Sequence, residues 1–203
     1  VTWFTGGPAH HRAILEAAPR HPDALRASRL RFVRSAGNAL PADLEAAIEA
    51  AFGVPCIQKY GSSEAGLISS NPLPPGLRRA GSCGPVIDCE VTVRDDEGAE
   101  LPAGEVGEIW VRGPGVFDGY EDAEMTRAAF AGDWFLTGDL GRVDGDGCLS
   151  IAGRKSEVIN RGGQKIAPEE VEEAFAAFPG VAAALCFPIP HPTLGATAGL
   201  ALV

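Results

Sequence analysis

The sequence predicts an α/β fold followed by an antiparallel β region and the beginning of an α+β domain. Residues 1–72 alternate strand-like and helix-like segments, which is typical of a mostly parallel sheet. Residues 73–155 contain short strands separated by Asp-Gly turns, and residues 156–203 contain a Gly-Gly hairpin, a helix and further strands. We therefore predict three units: a partial parallel-sheet α/β subdomain, a small antiparallel β-barrel subdomain, and a truncated α+β domain.

In the first unit, two helices are expected to alternate with strands. Pro8 suits the first turn of a helix whose apolar residues recur at helical spacing. A second helix begins at residues 40–43 and ends at Gly53, because glycine readily adopts the left-handed conformation that closes helices. Strands are predicted at residues 30–33 and 54–57. Ligands of parallel sheets bind beyond the carboxyl ends of the strands, so the loop after the last of these strands is a candidate binding loop.

In the second unit, alternating apolar and polar residues predict antiparallel strands. Residues 90–94 and 106–112 alternate strictly, and residues 95–98 form a turn after the first of them. A second tight turn, at residues 144–147, separates two more strands. One helix, over residues 122–132 and capped by its first residue, interrupts the strands.

The third unit begins with a hairpin at Gly162 and Gly163, a pair that favours a tight β-turn. Pro168 then begins a helix whose acidic first turn matches the positive end of the helix dipole. Strand-like residues lie on both sides of the glycine pair and again near the end of the chain, at residues 158–159, 164–166, 181–187 and 199–203. Because the chain begins and ends inside such patterns, we interpret it as a piece of a longer protein.

Composition narrows the functional classes. With 203 residues and 45% hydrophobic content, the chain can bury the cores of one or two domains. Its formal net charge of -10 disfavours binding to nucleic acid. No apolar stretch is long enough to span a membrane, and no secretory signal opens the chain. The five cysteines include no C-x-x-C pair, so we expect buried, reduced thiols and a cytoplasmic location.

The run YGSSE at residues 60–64 is the first candidate for chemistry. The Glu64 carboxylate at such a loop can bind Mg²⁺, and hydroxyls such as that of Ser63 can donate to phosphate oxygens. Gly61 would let the backbone approach a flat ligand closely. The alternative is a Ser-rich turn that caps a following helix and leaves Glu64 solvated.

Asp139 and Arg154 form the second candidate. A carboxylate such as that of Asp139 can accept hydrogen bonds from two vicinal hydroxyls, each worth roughly 1.5–3 kcal/mol. Arg154 offers a forked donor to a hydroxyl or carboxylate. In the alternative interpretation, Asp139 caps an exposed turn and Arg154 forms a surface ion pair of little energetic value.

Several short motifs occur together, in one order, along nearly the whole chain. They are Gly37 within RSAGNAL, YGSSE at 60–64, RGP at 112–114 with Gly119 and Tyr120, TGD at 137–139, GR at 153–154, Gly162-Gly163, and Pro168-Glu169. This series resembles the adenylate-forming (AMP-forming) acyl-CoA synthetase superfamily, which includes luciferases and the adenylation domains of peptide synthetases. Residues 70–76 and 159–163 most resemble the branch that contains oxalate–CoA ligases. The chain would cover the later part of the large domain and the start of the small carboxyl-terminal lid domain.

The resemblance implies a reaction with two steps. A carboxylic acid and ATP, with Mg²⁺, form an acyl-adenylate and pyrophosphate, and coenzyme A or another thiol then displaces AMP. Ser63 and Glu64 would be catalytic, with Glu64 also binding the metal. The domain hinge would lie at Ser156, and the hairpin at Gly162 and Gly163 would approach the thiol site. The implied nucleotide-binding residues are Gly37, Asn38, Tyr60, Gly61, Ser62, Ser63, Asp139 and Arg154.

Two departures from the family pattern concern catalysis. The chain contains neither the Ser/Thr/Gly-rich loop that grips the ATP phosphates nor the adenylation lysine; its lysines are Lys59, Lys155 and Lys165. The missing phosphate contacts and the missing charge would both have stabilised the transition state. We therefore expect no adenylation by this chain alone.

Other departures concern the acid substrate and the hinge. Oxalate-type members carry a His three residues after the motif glutamate, where this chain has Leu67. His11 falls where oxalate-type sequences also have a His, but a His early in a helix is more often a surface residue. We therefore expect a medium-sized or apolar acid rather than oxalate. Ser156 stands where many relatives carry Asp or Lys, and a small residue still permits bending.

Two other functional classes fit the same motifs. One is the adenylation domain of a peptide synthetase or polyketide loading module, which passes the acyl group to a carrier-protein thiol. The other is an inactive remnant that binds nucleotide or a partner. Retention of Glu64, Asp139 and Arg154 argues against long decay, because folding alone would not preserve these side chains.

Overall fold

The first sheet contains four strands. The computed structural model of the protein describes residues 1–79 and 81–203. Three strands run parallel, as the alternation of strands and helices predicted, and the third forms an antiparallel hairpin with the fourth. In their order across the sheet, the strands are β1 (Trp3–Gly6), β2 (Phe32–Ser35), β3 (Cys56–Ser62) and β4 (Gly66–Ser70).

Helices pack against one face of this sheet. They are α1 (Pro8–Ala17) and α3 (Ala42–Phe52), which also contact each other. A short 3₁₀ turn (Ala18–Arg20) and α2 (Pro22–Arg26), neither of which contains a buried residue, lie between α1 and β2. Pro8 lies in the first turn of α1, and Gly53 adopts a left-handed φ of 65° after α3, so both predicted helix boundaries are confirmed. The core between the helices and the sheet contains Val33, Leu40, Leu44, Ile48 and Cys56.

The strand that leads to the YGSSE motif is longer than predicted. We expected a strand over residues 54–57 and then a turn, but β3 runs through Tyr60 to Ser62. The turn is confined to residues 63–65, and β4 follows it rather than a helix. The pairing of Tyr60 with Ser69 across the hairpin accounts for the extension, because it completes the backbone hydrogen bonds of both strands.

The second sheet is antiparallel, as the alternating pattern predicted, and contains six strands. They are β5 (Gly84–Pro85), β6 (Glu90–Arg94), β7 (Gly107–Arg112), β8 (Phe130–Ala131), β9 (Trp134–Val143) and β10 (Cys148–Arg154). The order is β5-β10-β9-β7-β6, with β8 paired to β9, and the sheet curls into half of a barrel. Its core contains Ala65, Ile68, Ile109, Val111, Phe135 and Leu149.

The helix beside this sheet, α4 (Ala123–Ala129), begins where predicted but ends early. The Asp122 side chain caps it by accepting hydrogen bonds from the backbone N–H groups of Glu124 and Met125. We expected the helix to continue to residue 132. It stops because Phe130 enters β8 and pairs with Phe135 of β9.

The Thr-Gly-Asp motif at residues 137–139 is a bulge within β9 and not the exposed turn of the alternative interpretation. Between two paired positions, β9 has three residues where β7 has only Ile109. Gly138 takes up the extra length with a left-handed φ of 70°. Thr137 is buried, and its Oγ1 donates to the carbonyl of Ile109 at 2.8 Å.

The third sheet follows the second directly and has the order β12-β11-β14-β13. Its elements are β11 (Ile159–Arg161), β12 (Gln164–Ile166), α5 (Pro168–Ala176), β13 (Ala184–His191) and β14 (Gly195–Leu202). The hairpin is confirmed: Gly162 and Gly163 have φ values of 60° and 93°, as a type I′ turn requires. The helix at Pro168 is confirmed as well, whereas the last two strands are longer than the predicted segments.

Three further expectations concern buried groups and membranes. In the described part of the chain, no helix is both long and apolar enough to cross a membrane. Cys56 and Cys83 are buried thiols, as predicted, whereas Cys89 and Cys148 are only partly buried. Burial raises the pKa of Cys56 and that of Cys83 to about 12, so neither is an activated nucleophile. The surface position expected for His11 is wrong: the ring packs against Gly6 and Phe4 at 1% exposure, and burial lowers its pKa.

Candidate functional site

Side chains from two sheets meet at the carboxylate of Asp139. The hydroxyl of Tyr60, on β3, donates to Oδ2 of Asp139, on β9, at 2.6 Å. Nε of Arg154, on β10, lies 2.9 Å from Oδ1 of the same carboxylate. The side chain of Asp139 is 16% exposed and that of Arg154 is 57% exposed. We call these three residues the Asp139 cluster; it brings together three of the predicted nucleotide-binding residues where the first sheet meets the second.

The β9 bulge places Asp139 in this cluster. The backbone N–H of Asp139 donates to Oγ1 of Thr137 at 3.0 Å, and Nη2 of Arg154 donates to the carbonyl of Thr137 at 3.3 Å. The backbone N–H of Lys155 donates to the carbonyl of Gly138 at 2.8 Å. Asp139 and Arg154 are directly opposite each other across β9 and β10. Both the backbone and the side chain of Asp139 are therefore fixed.

Burial keeps the hydroxyl of Tyr60 protonated. Burial, followed by the hydrogen bond to Asp139, raises the pKa of Tyr60 well above its usual range. The phenol therefore remains a donor at neutral pH. Each oxygen of the Asp139 carboxylate has more than one acceptor position, so the carboxylate can accept further hydrogen bonds beyond those from Tyr60 and Arg154. A pair of vicinal hydroxyls is a donor of this kind.

The YGSSE turn forms a second polar group. The Ser62 hydroxyl closes the turn by accepting a hydrogen bond from the backbone three residues later at 3.1 Å. Glu64 is half-buried, and its Oε1 accepts a hydrogen bond from the hydroxyl of Tyr120 at 3.3 Å. The backbone N–H of Phe117 donates to the Glu64 carbonyl at 2.7 Å. Ser63 is exposed at the same turn. A hydroxyl and a carboxylate thus lie side by side, within reach of a ligand.

Gly61 is required by the hairpin itself. It lies at an irregularity in the pairing of β3 with β4. A Cβ at this position would collide with the carbonyl oxygen of Gly66, on the opposite strand. The close approach that we expected Gly61 to allow is therefore made in this structure by Gly66 and the start of β4.

The other predicted residues belong to other segments of the chain. Gly37 and Asn38 follow β2, the neighbour of β3 in the first sheet, and Gly37 has a left-handed φ of 94°. Ser156 lies in the turn after β10, and Gly162 and Gly163 form the tip of the β11–β12 hairpin. Among residues 1–79 and 81–203, no hydrogen bond or ion pair connects these five residues with the Asp139 cluster.

Two residues beside the predicted carboxylates, Tyr120 and Thr137, had no role predicted from the sequence. Thr137 holds the backbone of Asp139, and Tyr120 contacts the side chain of Glu64. Both residues belong to the ordered motif series, and this membership was the only sequence feature that singled them out. Tyr120 and Glu64 are 56 residues apart in the chain, so their contact could not be predicted from the local sequence.

The donor set at Glu64 fits magnesium bound together with a nucleotide. The described residues contain no group of three or more His, Cys, Asp or Glu side chains arranged to hold a metal ion. Mg²⁺ is commonly bound through one or two carboxylates together with substrate phosphates rather than by a cage of protein ligands. A single carboxylate with an exposed hydroxyl beside it matches this mode of binding.

Comparisons with known proteins identify the family of this chain. A family model described as "AMP-binding enzyme" matches residues 1–121. The chain is 37% identical over 206 residues to an oxalate–CoA ligase of Arabidopsis thaliana, covering 100% of this chain and 40% of that protein. It is 44% identical over 169 residues to a sulfoacetate–CoA ligase of Cupriavidus necator, covering 82% of this chain and 33% of that protein.

Solved structures of similar proteins share the fold. ATP-bound MatB from Rhodopseudomonas palustris superposes with a TM-score of 0.90 at 31% identity, covering 100% of this chain and 40% of MatB. An anthranilate CoA ligase, AuaEII, in complex with anthranoyl-AMP has a TM-score of 0.82 at 32% identity. The match covers 99% of this chain and 39% of AuaEII. The chain spans about 40% of the length of such relatives. Because the family model covers more than half of the chain, the chain belongs to the AMP-binding enzymes, the superfamily of adenylate-forming acyl-CoA synthetases.

Proposed function

We propose that this chain supplies the ribose-binding and metal-binding part of an AMP-forming carboxylic acid–CoA ligase. The Asp139 cluster is the observation that carries the proposal, because it presents a fixed carboxylate with spare acceptor positions. Asp139 would accept hydrogen bonds from the two ribose hydroxyls of the nucleotide, and Arg154 would reinforce them. Tyr60 would pack its ring against the adenine, beside Gly37 and the neighbouring Asn38.

The YGSSE turn would then bind the phosphate end of the nucleotide. Ser63 would donate to the α-phosphate, with Gly61 and Ser62 shaping the turn, and Glu64 would hold Mg²⁺. The metal would neutralise phosphate charge during formation of the acyl-adenylate, when pyrophosphate leaves. The contribution of this chain is to orient the nucleotide. Because it lacks the phosphate-gripping loop and the adenylation lysine, the 203-residue chain alone should show no ATP–pyrophosphate exchange.

The third sheet is proposed as the start of the lid domain. We propose domain boundaries at residues 1–72, 73–155 and 156–203, with Ser156 as the hinge. The hairpin at Gly162 and Gly163 would approach the thiol of coenzyme A after the lid rotates. We propose coenzyme A as the acceptor because the similar proteins named above are CoA ligases. We also propose a cytoplasmic location, on the basis of the buried reduced thiols.

The acid substrate is proposed to be medium-sized or apolar. Leu67 follows the YGSSE turn on β4 and is 43% exposed, so it offers an apolar surface where oxalate-type sequences carry a His. A second small carboxylate would find no partner on a leucine side chain. A panel of acids tested on the full-length enzyme checks this point, and oxalate as the best substrate would contradict it.

Calorimetric titration of the 203-residue chain with AMP tests the nucleotide site. Asp139→Asn keeps the shape but removes the charge, and we expect it to weaken AMP binding about tenfold or more, since a hydrogen bond to a charged group contributes roughly 1.5–3 kcal/mol. Asp43→Asn, an exposed acid on α3, is the matched control and should bind like the wild type. Equal affinities for the wild type and Asp139→Asn would refute the proposal.

A further inference from the structure

A loop from the second sheet holds Glu64. This loop, residues 113–120 between β7 and α4, is called the Tyr120 loop. The N–H of Phe117 donates to the Glu64 carbonyl at 2.7 Å, and the hydroxyl of Tyr120 donates to Glu64 Oε1 at 3.3 Å. One loop therefore contacts both the backbone and the side chain of Glu64.

Packing fixes the Tyr120 loop against the YGSSE turn. A Cβ at Gly115 would lie 3.1 Å from the carbonyl oxygen of Ala65, so the two backbones are in close contact. The ring of Phe117 meets the ring of Tyr120 edge to face, with centroids 4.8 Å apart, and also packs against the phenylalanines of β8 and β9. The Tyr120 ring therefore packs against Phe117 on one side, although it is 36% exposed.

Thr126, on α4, fixes the backbone of Tyr120. Its Oγ1 accepts a hydrogen bond from the N–H of Tyr120 at 2.8 Å and lies 3.2 Å from the carbonyl oxygen of Tyr120. Its Cγ2 fills the space beside Gly119, where an added Cβ would lie only 2.6 Å away. Asp122 caps α4 and so stabilises the helix that carries Thr126. The position of Tyr120 is thus fixed at its backbone and at its ring.

We propose that Tyr120 is a positioning residue for the Glu64 carboxylate. By donating to Oε1, the phenol draws electron density to that oxygen and favours Oε2 as the oxygen that binds a divalent cation. It also restrains a flexible side chain before the cation binds, which reduces the entropy that binding would otherwise cost. Thr126 acts through Tyr120 by fixing its backbone. The inference rests on the proposed function, because it takes Glu64 as the metal-binding residue.

The test measures ATP binding to the 203-residue chain by calorimetry, with and without Mg²⁺. The quantity measured is the ratio of the ATP affinity with Mg²⁺ to the ATP affinity without it, which we call the gain. Tyr120→Phe retains the ring, and we expect it to reduce the gain about three- to tenfold, the loss of one hydrogen bond. Glu64→Gln should abolish the gain. Thr126→Val should behave like Tyr120→Phe, whereas Thr126→Ser, which keeps the hydroxyl, should retain most of the gain; Asp43→Asn is the control.

The outcomes separate the inference from the proposed function. A wild-type chain that binds neither AMP nor ATP would overturn both. A wild-type chain that binds AMP but gains nothing from Mg²⁺ would overturn the inference while leaving the ribose site intact. If Glu64→Gln loses the gain and Tyr120→Phe keeps it, Glu64 binds the metal without help from Tyr120, and the inference fails. Thermal unfolding identifies misfolded variants, and Tyr120→Phe decides the question even if Thr126→Val does not fold.

Discussion

Lys155 donates a hydrogen bond from Nζ to Oε2 of Glu108 at 2.8 Å, and this contact joins the residue before the proposed hinge to the middle of the second sheet. The side chain of Glu108 is only 8% exposed. Asp96 lies 3.5 Å from Lys155 and also pairs with Lys165, on β12 of the third sheet. The pair of Lys165 with Asp96 connects the third sheet to the second, whereas the pair of Lys155 with Glu108 lies on the second-sheet side of Ser156.

The first prediction concerns the pair of Lys155 and Glu108. Lys155→Met leaves a buried carboxylate without its cationic partner, and we expect it to lower the free energy of unfolding by about 1–2 kcal/mol. The expected loss is smaller than for a fully buried ion pair, because the side chain of Lys155 is 44% exposed. Combining it with Glu108→Gln should cost less than the sum of the two single changes, as measured by urea unfolding in a double-mutant cycle.

Lys165→Met provides the control for this cycle. Its ion pair with Asp96 is exposed on both sides, so removing it should change the free energy of unfolding little. If Lys155→Met and Lys165→Met have equal effects, or if the cycle is additive, the contact with Glu108 contributes nothing specific.

The second prediction concerns Gly61. An alanine there places its Cβ against the carbonyl of Gly66, and neither backbone can move without opening the β3–β4 hairpin. We expect Gly61→Ala to lower the free energy of unfolding by about 2–4 kcal/mol. Gly145→Ala is the matched control, since nothing lies within 4 Å of its added Cβ, and it should change stability by less than about 0.5 kcal/mol. Equal effects of the two substitutions on urea unfolding would contradict the steric argument.

Local residue chemistry was sufficient to predict the boundaries that depend on one residue. Pro8 begins α1, Gly53 closes α3, and Asp122 caps α4, each for a reason contained in its own side chain or its lack of one. The turn at Gly162 and Gly163 belongs to the same group, because two adjacent positive φ values strongly favour glycine.

Features that depend on pairing between distant segments could not be predicted from the local sequence. Residues 137–139 have the composition of a turn, yet pairing with β7 and β10 makes them a bulge inside β9. The strand predicted at residues 30–33 lies instead at Phe32–Ser35, because its register with β1 and β3 sets its ends. The ordered motifs identified Glu64, but its contact with Tyr120 requires two sheets to be in place.

The third prediction concerns pH. The pKa values of Cys56 and Cys83 are raised from 9.0 to about 12 by burial, so above pH 9 the unfolded chain releases protons that the folded chain retains. The unfolded state then binds fewer protons, and stability falls as pH rises. Between pH 7.5 and 9.5, each thiol should lower the free energy of unfolding by about 0.8 kcal/mol.

Urea unfolding at the two pH values, under reducing conditions, measures this decline. Cys56→Ala and Cys83→Ala each remove one of the two titrating groups, so each should make the decline shallower than in the wild type, whatever the substitution costs at pH 7.5. The same pH dependence in the wild type and in both variants would show that these thiols do not titrate differently in the folded and unfolded states.

The fourth prediction concerns the hydrogen bond between Tyr60 and Asp139. Tyr60→Phe keeps the ring but removes the donor at 2.6 Å, so Asp139 retains only Arg154 as a side-chain partner in the described part of the chain. We expect a loss of about 1–3 kcal/mol in the free energy of unfolding, because the carboxylate is largely buried. AMP affinity should fall as well, since the freed carboxylate is no longer held in one orientation.

In the Asp139→Asn background, Tyr60→Phe should lower the free energy of unfolding clearly less, because a neutral amide accepts a weaker hydrogen bond than a carboxylate. Equal costs in the two backgrounds would show that Tyr60 stabilises the fold through its ring and not through Asp139.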